Sequence, residues 1–199
     1  MNLASLFGAL GTALGLVRAL PQLARLLRAR QAHGVSVDTA ATSAIVSFGW
    51  AAYGMLTGQP FVSLATGASG LIFTAITCFA LRYGRRTREF KIAPLWLLVV
   101  ILTGLLAGKV GLGILLPLSV LAANLPQLWL AFKEGDLADL SLGTWLLSLT
   151  DGLVWGGYAL SQGDLPILIY AVLQLTTSGL IVAARLRHRQ TPNHPTPDK

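Results

Sequence analysis

The chain is 199 residues long, 54% hydrophobic and only 12% charged, with a net charge of +7 and a mean hydropathy of +0.65. Soluble domains carry about 25% charge, and the apolar residues here fall in blocks near the roughly 20 residues that cross a bilayer as a helix, so the chain reads as an integral membrane protein in contact with lipid. The excess of positive charge does not imply a nucleic-acid partner, because the basic residues flank the apolar blocks, where topology signals belong.

Seven spans follow in order. The first runs from about Leu3 to Leu27 and contains Arg18 and Pro21-Gln22. A basic loop with Arg25, Arg28, Arg30 and His33 precedes the second span, about Thr39 to Gly58. A turn with Gln59-Pro60 leads to the third, about Phe61 to Leu81, which ends in Arg82, Arg85, Arg86, Arg88 and Lys91. The fourth span, about Ile92 to Gly108, is the shortest, and Lys109 marks its far end. The fifth covers about Val110 to Phe132, the sixth Leu140 to Ser161 and the seventh Leu165 to Ala184. The prolines and polar residues that close the chain predict a disordered tail over 188–199. Residues 1–10 hold no Lys or Arg, so no signal peptide is expected.

Alternate loops of a seven-span chain share one side of the membrane. One side collects every basic residue except Lys109, opposite, and Arg18, inside a span. The positive-inside rule then places the N-terminus outside and the C-terminus in the cytoplasm, in a plasma or inner membrane.

The segment Leu20-Pro21-Gln22-Leu23 returns as Leu125-Pro126-Gln127-Leu128, a shift of 105 residues. The same shift pairs Ser36 with Ser141, Thr39 with Thr144, Ser43 with Ser148, Trp50 with Trp155, Tyr53 with Tyr158 and Gly58 with Gly163. That makes 10 identities in 39 positions without a gap, which reads as a duplicated three-span unit. Two such copies point the same way only if one extra span reinserts the chain, and the unpaired fourth span does so. The expected organisation is a first three-helix bundle over 1–88, a linker helix over 89–108 and a second bundle over 109–187.

A Pro-Gln near the inner end of one span, a basic loop, a Ser and then Trp-x-x-Tyr-Gly is a specific order. Here it is Pro21-Gln22, Arg28-Ala29-Arg30-Gln31, Ser36 and Trp50-Ala51-Ala52-Tyr53-Gly54, and the second copy adds Trp155-Gly156-Gly157-Tyr158 through Asp164-Leu165-Pro166-Ile167. The sequence resembles the PQ-loop superfamily and, within it, the SWEET and SemiSWEET transporters. That resemblance implies an all-α membrane fold of 3+1+3 helices, with a solute site between the bundles near mid-membrane. The SWEET family is itself a type case of parallel repeats about an axis along the membrane normal. Family members also carry prolines on the second helix of each bundle, which this chain lacks. An Asn on each third helix of the family's sugar carriers falls, counted from the Trp, on Thr66 and Ala171.

Individual residues carry the functional expectations. Pro21 and Pro126 each remove a helical hydrogen bond and kink the helix, and Gln22 and Gln127 are placed to satisfy the freed carbonyl, which lipid cannot do. They form either a pair of hinges or two static kinks. Asp151 lies about 15 Å into its span, where a carboxylate costs about 3 kcal/mol or more on insertion scales, so a functional role is the default. It either carries charge or a proton during transport or pairs structurally with Arg18, which has the further option of snorkelling to the surface. Trp50 and Trp155 are interface anchors or stacking platforms for a solute. Asn124 and Gln174 either line a pocket or bond between helices.

Several chemistries are excluded. There is no Gly-rich phosphate loop, no His or Cys pair with metal spacing, no lysine in the seventh span for a Schiff base and no nucleophile with its base. No enzyme, cofactor or metal is therefore expected. A small polar solute of sugar or amino-acid size is the expected ligand, moved passively or with protons; the rival is a non-transporting receptor or scaffold. Whether the protein is a monomer or a homo-oligomer stays open.

Overall fold

The computed structural model describes residues 2–133 and 142–190, without the side chains of 126, 127, 129–133 and 187–190. Of the expected disordered tail, 188–190 instead continue the last helix and 191–199 lie outside the described residues, as do the loop before the sixth span and the side chains of Pro126 and Gln127.

All regular structure described is helical. The order is α1 (Leu3–Ala29), α2 (Val37–Thr57), α3 (Pro60–Arg82), a 3₁₀ turn at Thr87–Glu89, α4 (Ala93–Lys133), α5 (Leu142–Gln162) and α6 (Leu165–Gln190). Local chemistry sets the boundaries. Asn2 caps α1 by accepting from the Ser5 N–H at 2.8 Å, and Ser36 caps α2 by accepting from the Thr39 N–H at 3.2 Å. Gly58 and Gly163, 105 residues apart in the chain, close α2 and α5 with φ of 70° and 67°. A side chain strains this left-handed backbone and glycine does not.

The fourth and fifth expected spans form one helical run, α4, broken at Gly108 (φ 54°, ψ −140°). The break is a reversal. Val100 and Leu116 both lie against Gly49, yet on a straight helix 16 residues would separate them by about 24 Å. Gly104 likewise sits beside Leu112. The halves 93–107 and 109–133 therefore fold back on each other.

Among the described residues, four stretches are long and apolar enough to cross a membrane: Leu3–Ala29, Pro60–Arg82, Ala93–Leu125 and Leu165–Leu186. Helices α2 and α5, at 21 residues each, are long enough but more polar. Gly49, Trp50, Tyr53 and Gly54 on α2, and Ser148, Asp151, Gly152, Trp155, Gly156 and Tyr158 on α5, are buried against protein: α2 packs on α3 and α4, and α5 on α6 and α1.

The remaining pairings are α1 with α3 and α4 with α6. Under the 105-residue shift, α1·α3 maps onto α4·α6, α2·α3 onto α5·α6, and α1·α5 onto α2·α4. Two cores result. One draws on α1 to α6 and includes Ala4, Trp50, Tyr53, Val62, Leu116, Trp155, Tyr158 and Ile167. The other, Leu26, Ala32, Ala40, Ile76 and Ala80, belongs to α1–α3 and its loops alone, at the basic end.

Candidate functional site

Helices α1–α3 and the set formed by 109–133, α5 and α6 meet along a seam, and one stripe of α1 reports its shape. Ala4, Phe7, Gly11, Leu14, Arg18, Gln22 and Arg25 recur at three- and four-residue spacing, so they share a helix face. At the N-terminal end this face is packed tight. A methyl added to Gly11 would come within 2.7 Å of Trp155, and one added to Gly157 within 2.6 Å of Phe7. Further along, Gln22 and Arg25 on the same face are exposed. The seam is shut at the end where α2 meets α3, and parted at the Pro21 end.

The shut end is closed by a carboxylate. Asp164 caps α6, its Oδ1 accepting from the Ile167 N–H at 2.9 Å. Its Oδ2 accepts from the Tyr53 hydroxyl at 2.7 Å and from the Gln59 amide, both across the seam. Gln59 and Asp164 are 105 residues apart, so they are equivalents in the repeat register that meet each other. The Gln59 Oε1 is buried and bonded to nothing among the described residues.

Where the seam begins to part lies an ion pair. The Arg18 guanidinium is 3.3 Å from Asp151 Oδ2, and the Tyr170 hydroxyl donates to the same oxygen at 2.8 Å. Asp151 is buried, with 3% of its side chain exposed, whereas Arg18 is 39% exposed. Three helices thus converge, α1 from one set and α5 and α6 from the other. Trp50 on α2 touches Tyr170 edge-on at 5.6 Å between ring centres and stands edge-on to Tyr53 as well. An aromatic wall therefore connects the carboxylate at the shut end with the ion pair.

The sequence-expected residues divide. Arg18 and Asp151 meet directly, and Trp50 and Trp155 are buried at 7% and 8% exposure, away from any lipid-facing surface. Asn124 and Gln174 are buried within the second set, the Asn124 amide donating to Gln174 Oε1 at 3.3 Å and to Thr177 Oγ1 at 2.8 Å. Thr66 turns its hydroxyl to its own helix, at the Val62 carbonyl. Pro21 lies inside α1, and Gln22 is exposed rather than folded back on the freed carbonyl. Tyr170, Gln59 and the bridging role of Asp164 were missed by sequence reasoning. The repeat register held a signal for two of them, since it aligns Gln59 with Asp164, two polar residues at equivalent turns.

No protein-family model matches this chain, and no curated protein does. Among solved structures it is similar to a eukaryotic SWEET transporter determined at 3.7 Å, with 14% sequence identity over 95% of this chain and 98% of that one and a TM-score of 0.76. The chain therefore has a SWEET-like fold, and with its long apolar helices it is an integral membrane protein.

Proposed function

We propose that this protein is a membrane transporter for a small polar solute, of sugar or amino-acid size. In this reading seven helices form a 3+1+3 arrangement: two bundles, 1–88 and 109–187, rock against each other about the linker 89–108. The observation that carries it is the α1 stripe, sealed against α5 at one end and open at the other, with a buried charge at the boundary. A static scaffold has no need of a parted seam that ends on a desolvated carboxylate, which is expensive to place there. The shared fold with a SWEET transporter supports the same reading.

The basic-residue bias orients the parted end to the cytoplasm of a plasma or inner membrane, with the N-terminus outside. The described conformation is then inward-open. Pro21-Gln22 and Pro126-Gln127 act as bending points. From the parted end the solute meets Arg18 and Asp151 first, with Trp50, Trp155 and Thr66 lying beyond them toward the shut end, and Asn124 and Gln174 buttress the second bundle behind them.

Solute counterflow into proteoliposomes tests the proposal. A saturable flux of at least one small polar solute, lost in a Leu14→Trp variant that obstructs the seam between its shut end and Arg18, is the expected result. Absence of flux for sugars, amino acids and amines alike, with a peptide or protein still bound, would establish the receptor reading instead.

A further inference from the structure

We infer that the solute is a zwitterion, an α-amino acid whose carboxylate is taken by Arg18 and whose ammonium is taken by Asp151. This rests on the transport reading above and names the solute class for the same site. The Arg18–Asp151 pair spans the seam from α1 to α5, so it is a contact that the rocking motion must remake. Breaking a buried ion pair by removing one partner is costly, because a charge is left in a poor solvent. A neutral sugar offers neither charge a replacement. A simple carboxylate satisfies Arg18 and strands Asp151; a simple amine does the reverse.

A zwitterion alone returns a partner to both. It inserts between guanidinium and carboxylate, exchanging one internal pair for two charge-assisted ones. The asymmetry of the pair suits this order of events. Arg18, the more exposed member, faces the parted end and meets the solute first. Asp151 stays buried, and the Tyr170 hydroxyl continues to hold Oδ2 while the ammonium arrives. When the solute leaves, Arg18 and Asp151 close on each other, so the empty carrier presents no bare charge.

The test is counterflow by the full chain in proteoliposomes with four probes: L-alanine, L-glutamine, L-lactate and D-glucose. L-lactate keeps the carboxylate of L-alanine and replaces its ammonium with a hydroxyl. The expected result is flux of at least one amino acid at about ten times the rate of L-lactate and D-glucose or more, equivalent to about 1.4 kcal/mol. In Asp151→Asn that amino acid is expected to lose at least about tenfold in flux while L-lactate gains, since Arg18 is then unpaired. Flux of D-glucose without either amino acid overturns the inference and leaves transport standing; no flux of any probe overturns the inference, and transport falls with it only if the amines fail as well. Wild-type selectivity alone decides the matter if Asp151→Asn fails to fold, as judged by its elution and melting in detergent.

Discussion

Asp38 shows how one side chain can tie a helix to a distant turn. It sits in the first turn of α2, and its carboxylate accepts from the backbone N–H groups of Lys91, Ile92 and Ala93 at 2.9–3.1 Å, capping α4 from another helix. Burial disfavours its charge, but the three N–H groups and the Lys91 ammonium outweigh that, so its pKa falls below the usual 3.8. The native pKa is thus lower than the unfolded one. The stabilisation is whole above the unfolded value and disappears as acid carries the pH down through the native value. Replacement by Asn should cost about 0.5–1 kcal/mol at neutral pH, the low end for a helix cap because the site is open to water. Melting of both proteins in detergent across the acid range checks this: the gap should narrow as pH falls, and a constant gap would mean the carboxylate is not what matters.

At the same scale, Gly11 and Gly157 are spaces rather than conformational devices. Trp155 and Phe7 occupy the room a side chain would need. A single added methyl overpacks the seam and should cost about 1–3 kcal/mol in each case, read as a lowered melting temperature. A methyl added to Gly15 would meet only the Ser69 hydroxyl, at 3.1 Å, so that position should tolerate Ala better.

Among the elements, α4 carries the sharpest local demand. Its reversal at Gly108 needs positive φ with ψ near −140°, a combination open to glycine and strained for any other residue. Gly108→Ala should destabilise by about 1–3 kcal/mol, and Gly108→Val by more; equal melting temperatures for all three would refute a backbone origin. Helix α1 makes a different point. It passes through Pro21 as one helix, so the proline does not break it, and Gln22 is left exposed. A Pro21→Ala variant should therefore fold and melt as the parent does. If the proline serves as a bending point, counterflow should slow by about tenfold, equivalent to about 1.4 kcal/mol in the barrier; unchanged flux would identify a static kink.

For the whole molecule, the shut end of the seam depends on few polar contacts. Tyr53 and Gln59 from one set reach a single oxygen of Asp164 in the other. Cutting the Tyr53 bond with Tyr53→Phe removes one hydrogen bond to a charged group, worth about 1.5–3 kcal/mol. The expected outcome is a population shift: a cysteine placed at Gly11 should react faster with an impermeant thiol reagent added outside in Tyr53→Phe than in the parent. No change in labelling would show that Gly11–Trp155 packing, and not the Asp164 contacts, keeps this end shut.

Much of this architecture was legible in the chain. Apolar blocks, caps and glycine turns are local, because they depend on the solvent a segment must enter and on the backbone conformations its residues allow. Most expected spans begin and end within a few residues of a described helix or helix half, the seventh stopping at Ala184 where α6 runs on to Gln190, and Gly108 fell at the expected division of α4. The 105-residue register also held the pairing of Gln59 with Asp164, unread until the turns were seen together. What the chain could not reveal was which faces touch. Asp151 was conspicuous as a charge in an apolar run, but its partners Arg18 and Tyr170 lie on two other helices, and α1 offered no reason to prefer pairing over a surface exit. Likewise Asn124, Gln174 and Thr66 are polar at depth, yet their bonds to neighbouring helices or to their own backbone follow from how the helices pack. Composition and local sterics determined what each segment is; only the packing of distant segments decided which polar groups satisfy one another and where the seam stays open.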